Sequence, residues 1–106
     1  MTTYTGERIG SRVLVRVDDE PLCPRLDLCP HSPNGFDWGY RGSGPAQLAL
    51  AILADHLPSD ENRALAHYQR FRERVIERLG SDCWTLTDRE VDEALAMIEA
   101  HDSAAP

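Results

Sequence analysis

Residues 45–57 constrain the fold of this chain more than any other segment, because they form a run with almost no polar face. A helix that is apolar on all sides must be covered on all sides, so we expect it at the centre of the protein. Pro45 suits the first helical position, where its missing N–H group would have had no partner in any case. Residues 58–60, Pro-Ser-Asp, are predicted to end this helix and to start the next one.

A glycine-rich turn, residues 35–45, leads into the central helix. Its glycines permit positive φ angles and close backbone approach, so the turn can serve simply to pack a strand against the helix. The alternative is a small binding site, because the N–H groups and the dipole at a helix N-terminus attract anions. The candidate ligand-binding residues are Trp38, Tyr40, Arg41, Ser43 and Gly44.

Each candidate residue has a chemical role in such a site. Arg41 can form a bidentate contact with a phosphate or a carboxylate, and Trp38 or Tyr40 can stack on a ring. The backbone amides of Ser43 and Gly44 can hold an anion. The turn lacks the third glycine of the dinucleotide fingerprint, and it contains no Gly-x-Ser-x-Gly nucleophile elbow.

The first forty residues are predicted to form short antiparallel strands. Residues 4–8 and 12–17 are expected to pair as a β-hairpin, because valines alternate along the second run. Residues 22–28 predict a third strand, placed at a sheet edge or interrupted by a bulge because its proline cannot donate to a ladder. An Asn-Gly turn at residues 34–35 then leads into a short final strand at residues 36–40.

The remainder of the chain has helical periodicity. Apolar residues recur at three- and four-residue steps over residues 65–79, and Gly80 is a natural stop for that second helix. Thr87 and Glu90 have the spacing of a capping box, which predicts that a third helix begins at Thr87.

Strands first and helices after predict an α+β fold. We expect a small antiparallel β-sheet of three to four short strands in the N-terminal third, followed by three helices packed on one face. A chain of 106 residues is long enough for one domain. That domain is expected to span residues 1–101, with a frayed C-terminal tail at residues 102–106.

The charge of the chain excludes several functions. The net charge is −7, which argues against binding to a nucleic-acid backbone. All eleven basic residues are arginine, so no lysine can act as a Schiff base, a general base or a phosphate-loop cation. No apolar run is long enough for a membrane span and no secretory signal is visible, so we expect a cytoplasmic protein without membrane contact.

The three cysteines do not form a recognisable framework. Cys23, Cys29 and Cys83 are an odd number, which favours a reducing compartment over a disulfide scaffold. Cys23, Cys29 and His31 are spaced outside the usual zinc pattern, although recruiting Cys83 would complete a formal Cys3His set. We predict no metal and no cofactor, and small half-exposed thiols are the simpler interpretation; a redox role is left open.

Arginines recur at four-residue steps on the second helix, at Arg70, Arg74 and Arg78. We expect Glu73 and Glu77 to pair with Arg70 and Arg74, which gives a solvated surface rather than a nucleic-acid interface. No Ser/His/Asp or Cys/His catalytic arrangement can be assembled from sequence spacing.

Residues 32–53, SPNGFDWGYRGSGPAQLALAIL, are similar to the signature of a family of small prokaryotic proteins of unknown function. The resemblance extends to Tyr4-Thr-Gly6 and to Tyr68-x-x-Phe71, so it covers most of the chain. It implies a cytoplasmic protein, often encoded on mobile or accessory DNA. It implies no established activity, so no catalytic residue can be carried over.

Two hypotheses follow. The first is a non-enzymatic protein-interaction module that works through a protein partner, such as one with a basic surface, or as a homo-oligomer. The alternative is a small-ligand domain that binds an anion or a nucleotide at the turn before the central helix.

Overall fold

The computed structural model describes residues 2–31 and 35–104, and the predicted Asn-Gly turn lies partly outside them. The fold is α+β, as predicted, with a four-stranded antiparallel sheet and three helices. The elements in chain order are β1 Thr3–Ile9, β2 Arg12–Val17, β3 Glu20–Pro21, α1 Ser43–His56, α2 Glu61–Arg74, a 3-10 turn Ile76–Arg78, β4 Cys83–Thr87 and α3 Asp88–Ala104.

The sheet has the order β3-β2-β1-β4, and every neighbouring pair is antiparallel. The predicted hairpin is confirmed: β1 and β2 pair in register from Tyr4 opposite Val17 to Ile9 opposite Arg12. Alternate residues of the strands face the helices, which follows from the two-residue period of side chains in a strand.

Two predicted strands are absent and one strand was missed. Residues 22–28 leave the sheet after the two-residue β3 and turn at Arg25, which has a positive φ of 53°. Residues 36–40 form no ladder, because Trp38 is buried and Gly39 bonds to the 3-10 turn instead. The fourth strand is β4, which lies between α2 and α3 and pairs with β1.

Helix α1 lies at the centre, as predicted. Every residue from Gly44 to Ala54 is buried. The helix begins after the cap residue Gly42, so Pro45 is its third residue rather than its first. Proline is tolerated at the third position as it would be at the first, because the N–H groups of the whole first turn have no partner within the helix.

Tyr4 connects the sheet to α1. Its ring is fully buried, and its hydroxyl donates to Asp55 Oδ2 at 2.8 Å. Burial raises the pKa of Tyr4, and the carboxylate of Asp55 raises it further. The hydroxyl therefore stays protonated and remains a donor at neutral pH.

Helix α2 ends at Arg74, five residues earlier than predicted. The 3-10 turn that follows directs Ile76 into the core, where it is fully buried. The Ile76 carbonyl accepts the N–H of Gly39 at 3.0 Å. The break in the helix therefore provides the bond that fixes the turn before α1.

Helix α3 begins with the predicted capping box. The Glu90 amide donates to Thr87 Oγ1 at 3.2 Å, and the Thr87 amide donates to Glu90 Oε1 at 3.1 Å. Thr87 is the last residue of β4, so strand and helix follow each other without a loop. The helix runs to Ala104, and the last two residues of the predicted tail lie outside the described residues.

Replacing Gly39 tests the junction between the turn and the 3-10 segment. Gly39 has a φ of +86°, and a Cβ atom there would lie 2.9 Å from the Leu79 carbonyl oxygen. We expect Gly39→Ala to lower the free energy of unfolding by about 1–3 kcal/mol, measured by urea denaturation. Gly80→Ala is the control, since a Cβ there meets no atom within 4 Å; equal effects of the two substitutions would contradict the account.

Candidate functional site

Trp38, one of the predicted ligand-binding residues, is a core residue. Its side chain is 2% exposed, and its indole N–H donates to the Ser81 carbonyl at 2.8 Å. The ring packs edge-to-face against Trp84, with ring centroids 5.5 Å apart. Such aromatic pairs add to core stability beyond the area they bury.

Gly44, another predicted residue, lies against Asp37. A Cβ on Gly44 would come within 2.9 Å of the Asp37 Cβ, so only glycine permits this contact. The Asp37 carboxylate accepts the Trp38 N–H at 2.9 Å and the Tyr40 hydroxyl at 3.2 Å. The first turn of α1 therefore already has an acidic side chain beside it, which suits the positive end of its dipole.

Arg8 holds this acid in place from the sheet. Its guanidinium donates to Asp37 at 2.5 Å and to Asp82 at 2.8 Å, and it lies over the Trp38 ring at 4.7 Å from the centroid. Partial burial raises the pKa of Asp37, but the hydrogen bonds from Arg8, from the Trp38 amide and from Tyr40 outweigh it, so the net shift is downward. The acid is a carboxylate at neutral pH.

The other predicted residues lie at the surface. Tyr40 is 50% exposed, and Arg41 and Ser43 are exposed. Within the described residues, Arg41 forms no hydrogen bond or ion pair. Arg41 is thus a charged side chain of the predicted site that is available to a ligand without first losing a contact, and the site itself stays a prediction.

The four possible zinc ligands noted in the sequence, three cysteines and His31, do not come together in the fold. Cys23 and Cys83 are exposed in separate parts of the fold, and only Cys29 lies close to His31, with 3.2 Å between Sγ and Nε2. In the part of the chain that the structure describes, no group of three or more metal-ligating side chains could hold an ion.

Tyr68 of α2 lies beside Cys29 and His31. The helical periodicity of the sequence predicted only an apolar position there. The Tyr68 hydroxyl lies 2.5 Å from the same His31 nitrogen and accepts the side-chain amide of Gln69 at 3.0 Å. Tyr68 is buried, yet its polar atom faces the loop that carries Cys29. The helical periodicity could not distinguish the contact of Tyr68 with Cys29 and His31 from ordinary core packing, because that contact depends on a loop far away in sequence.

A groove of about 420 Å³ runs between the end of α2, the 3-10 turn and α3. Its apolar lining includes Phe71, Val75, Leu79, Val91 and Met97. The Met97 side chain is 60% exposed, although it lies next to buried residues of α3. Patches of this kind on small proteins often mark contact surfaces.

The rims of the groove carry opposite charges. Arg74 and Arg78 lie on one side, and Glu90 and Glu93 lie on the other. Within the described residues, neither arginine forms an ion pair or a hydrogen bond through its side chain.

The predicted pairing of Glu77 with Arg74 is therefore wrong, and the pairing of Glu73 with Arg70 stays a prediction. Glu73 and Glu77 both pair with Arg72, at 3.5 and 2.9 Å, and not with Arg74. Arg72 is nearly buried, so its charge requires counter-ions close by.

One arginine and two histidines connect α3 to the other two helices through carboxylates of α3. Glu99 accepts two hydrogen bonds from the Arg63 guanidinium at 2.7 and 2.6 Å, and it lies 3.2 Å from His67. His56, at the end of α1, lies 2.6 Å from Asp92. The hydrogen bond from Arg63 lowers the pKa of Glu99.

The pair formed by Arg63 and Glu99 predicts that stability depends on pH. The pKa of Glu99 is lower in the folded than in the unfolded protein. The ionised carboxylate therefore adds to the free energy of unfolding at pH values above the unfolded-state pKa of Glu99, and this stabilisation is lost as the pH falls through the folded-state pKa. We expect Glu99→Gln to destabilise the protein by about 1 kcal/mol at pH 7 and to flatten the acid limb of a stability-versus-pH curve. Glu7→Gln, on the open face of the sheet, should leave that curve unchanged, and the same flattening there would contradict the assignment.

Comparison with known proteins places the chain in a family. Residues 4–97 match the family of unknown function DUF6166, and the chain belongs to that family. Searches of curated proteins and of solved structures return no significant match. The match confirms the expected membership of a family of unknown function, while the predicted signature at residues 32–53 stays a prediction. Among the described residues, no helix is both long enough and apolar enough to cross a membrane.

Proposed function

We propose that this member of DUF6166 is a protein-interaction module that associates with a second copy of itself through the groove between α2 and α3. The observation that carries the proposal is the combination of an apolar groove, an exposed methionine and rims of opposite charge. The expected cytoplasmic location, the absence of enzymatic activity and an accessory role on mobile DNA remain hypotheses beside it.

The apolar lining of the groove supplies the affinity between the two copies. Met97 projects into solvent beside the groove, and methionine adapts its shape to irregular partner surfaces. Val75 and Leu79 are only partly buried in the groove wall. Covering these side chains removes apolar surface from water, which is the main favourable contribution in most protein association.

The charged rims favour a second copy over other partners. A twofold axis that runs along the groove would place the Arg74 and Arg78 rim of one copy against the Glu90 and Glu93 rim of the other. Each rim then meets the opposite charge, and this happens twice in a dimer. In a chain with net charge −7, the pairing also offsets the repulsion between two acidic molecules.

A charge swap across the groove tests this arrangement. We expect Arg78→Glu and Glu93→Arg each to weaken dimerisation, because each substitution places like charges on facing rims. The double variant should recover it, since the pair is restored with reversed sign. Sedimentation velocity over a concentration series measures the dimer fraction, and Glu90 is left unchanged so that the α3 cap stays intact.

Arg12→Glu is the matched control for this swap, because Arg12 is exposed on the sheet, away from the groove. It should change the net charge by the same amount without affecting dimerisation. A wild-type protein that remains monomeric at every concentration, or a double variant no better than the single ones, would contradict the proposal.

The apolar contribution is tested at Met97. We expect Met97→Asp to reduce dimerisation by about tenfold or more, because it places a charge in the apolar centre of the contact. The melting temperature of the diluted monomer should change little, since the side chain is mostly exposed. Ile9→Asp, at another exposed apolar residue, is the control; equal losses at both positions would indicate nonspecific association.

The alternative function, an anion or nucleotide site at the turn before α1, rests on Arg41. Its guanidinium is exposed and has no partner within the described residues, and Tyr40 is exposed next to it. Asp37 beside the first turn of α1 opposes an anion there. A thermal-shift screen with phosphate and with nucleotides tests the site: it requires a stabilisation that Arg41→Ala removes, and it fails if no ligand stabilises the wild-type protein.

A further inference from the structure

Independently of the groove, we propose that Cys29 is a nucleophilic thiol that reacts with small hydroperoxides, with His31 as the base that takes its proton. The two side chains lie 3.2 Å apart, between Cys29 Sγ and His31 Nε2. Both residues are partly exposed. The pair lies on the loop between β3 and α1, away from the groove between α2 and α3.

Hydrogen-bond directions around the pair determine where the protons lie. Arg72 can only donate, and it donates to the side-chain oxygen of Gln69. The Gln69 amide nitrogen therefore donates to the Tyr68 oxygen, at 3.0 Å. Two acceptors lie near the single proton of the Tyr68 hydroxyl, His31 Nε2 at 2.5 Å and Cys29 Sγ at 4.0 Å, and we assign the proton to the nearer one, His31. By this assignment Nε2 is an acceptor, and the neutral imidazole carries its proton on Nδ1.

An unprotonated imidazole nitrogen beside a thiol is positioned to act as a base. Because Nε2 has a single acceptor lone pair, the Tyr68 hydroxyl must turn away from it before the Cys29 proton can move to that nitrogen, which then becomes a donor. The Tyr68 hydroxyl lies 4.0 Å from the sulfur, so its proton can turn towards the thiolate. Burial raises the pKa of Tyr68, and the hydrogen bond with Cys29 adds to it, so the hydroxyl remains a donor at neutral pH.

The loop that carries the pair is fixed from the core of the protein. Gln47 of α1 is fully buried, and its side-chain oxygen accepts the His31 amide at 2.7 Å. Its side-chain nitrogen donates to the Pro24 carbonyl at 2.6 Å. Pro24 and His31, on the two sides of Cys29 in the sequence, are thereby held against α1, which keeps the thiol and its base at a fixed separation.

The reaction balances without a further reagent. The thiolate electron pair attacks one oxygen of the hydroperoxide, an S–O bond forms and the O–O bond breaks. The leaving oxygen takes the proton held on His31 Nε2, which gives water from hydrogen peroxide or an alcohol from an organic hydroperoxide. Sulfur is oxidised by two electrons to a sulfenic acid, the peroxide is reduced, and His31 returns to its neutral form.

The chain contains its own controls, because Cys23 and Cys83 are exposed thiols with no hydrogen-bond partner for their sulfur among the described residues. The intact protein is treated with hydrogen peroxide at pH 7 in the presence of dimedone, and the label at each cysteine is followed by mass spectrometry. We expect Cys29 to be labelled at least about tenfold faster than Cys23 and Cys83, as is typical of a contribution from a positioned base.

Two variants test whether the faster labelling of Cys29 depends on His31 and Tyr68. His31→Asn should abolish the preference for Cys29 while leaving the rates at Cys23 and Cys83 unchanged, and Tyr68→Phe should remove part of it. Near-ultraviolet circular dichroism shows whether each variant is folded. Labelling of Cys29 no faster than that of the two exposed thiols, or a preference that persists in folded His31→Asn, would overturn the proposal.

Discussion

Helix α1 has to be covered on every side, and the arrangement of the other elements follows from that requirement. Residues Gln47 to Leu53 have no exposed surface at all. The sheet covers one side of the helix, and α2 with the 3-10 turn covers much of the rest. The single polar side chain in this buried stretch, Gln47, is satisfied by two backbone groups of the preceding loop. Burial of the helix therefore also determines where Cys29 and His31 lie.

The glycine-rich turn serves this architecture. Gly39 lets the chain approach the 3-10 turn, Gly44 admits Asp37, and Arg8 ties Asp37 to the sheet while lying over Trp38. A sequence rich in glycine, aromatic residues and arginine before a helix resembles a ligand site. Here most of those residues make contacts within the protein, and Arg41 is the exception.

Patterns that are local in sequence predicted the structure well. The hairpin followed from two-residue alternation, the third helix from its capping box and the buried helix from its apolar faces. Strand β4 was missed because it is short and its partner β1 lies at the other end of the chain. Residues 36–40 alternate like a strand, but the burial of Trp38 and the bond from Gly39 to Ile76 replace a ladder. The groove and the cluster around Tyr68 each need segments that only the folded chain brings together.

Association through the groove is the central claim about function, and it is most directly tested at the methyl group that would be buried. The chain has two methionines, Met1 and Met97, so methyl-labelled methionine gives two assignable NMR signals. On dilution, we predict that the Met97 methyl resonance shifts progressively. A Met97 signal that does not change over the whole dilution series would contradict the account.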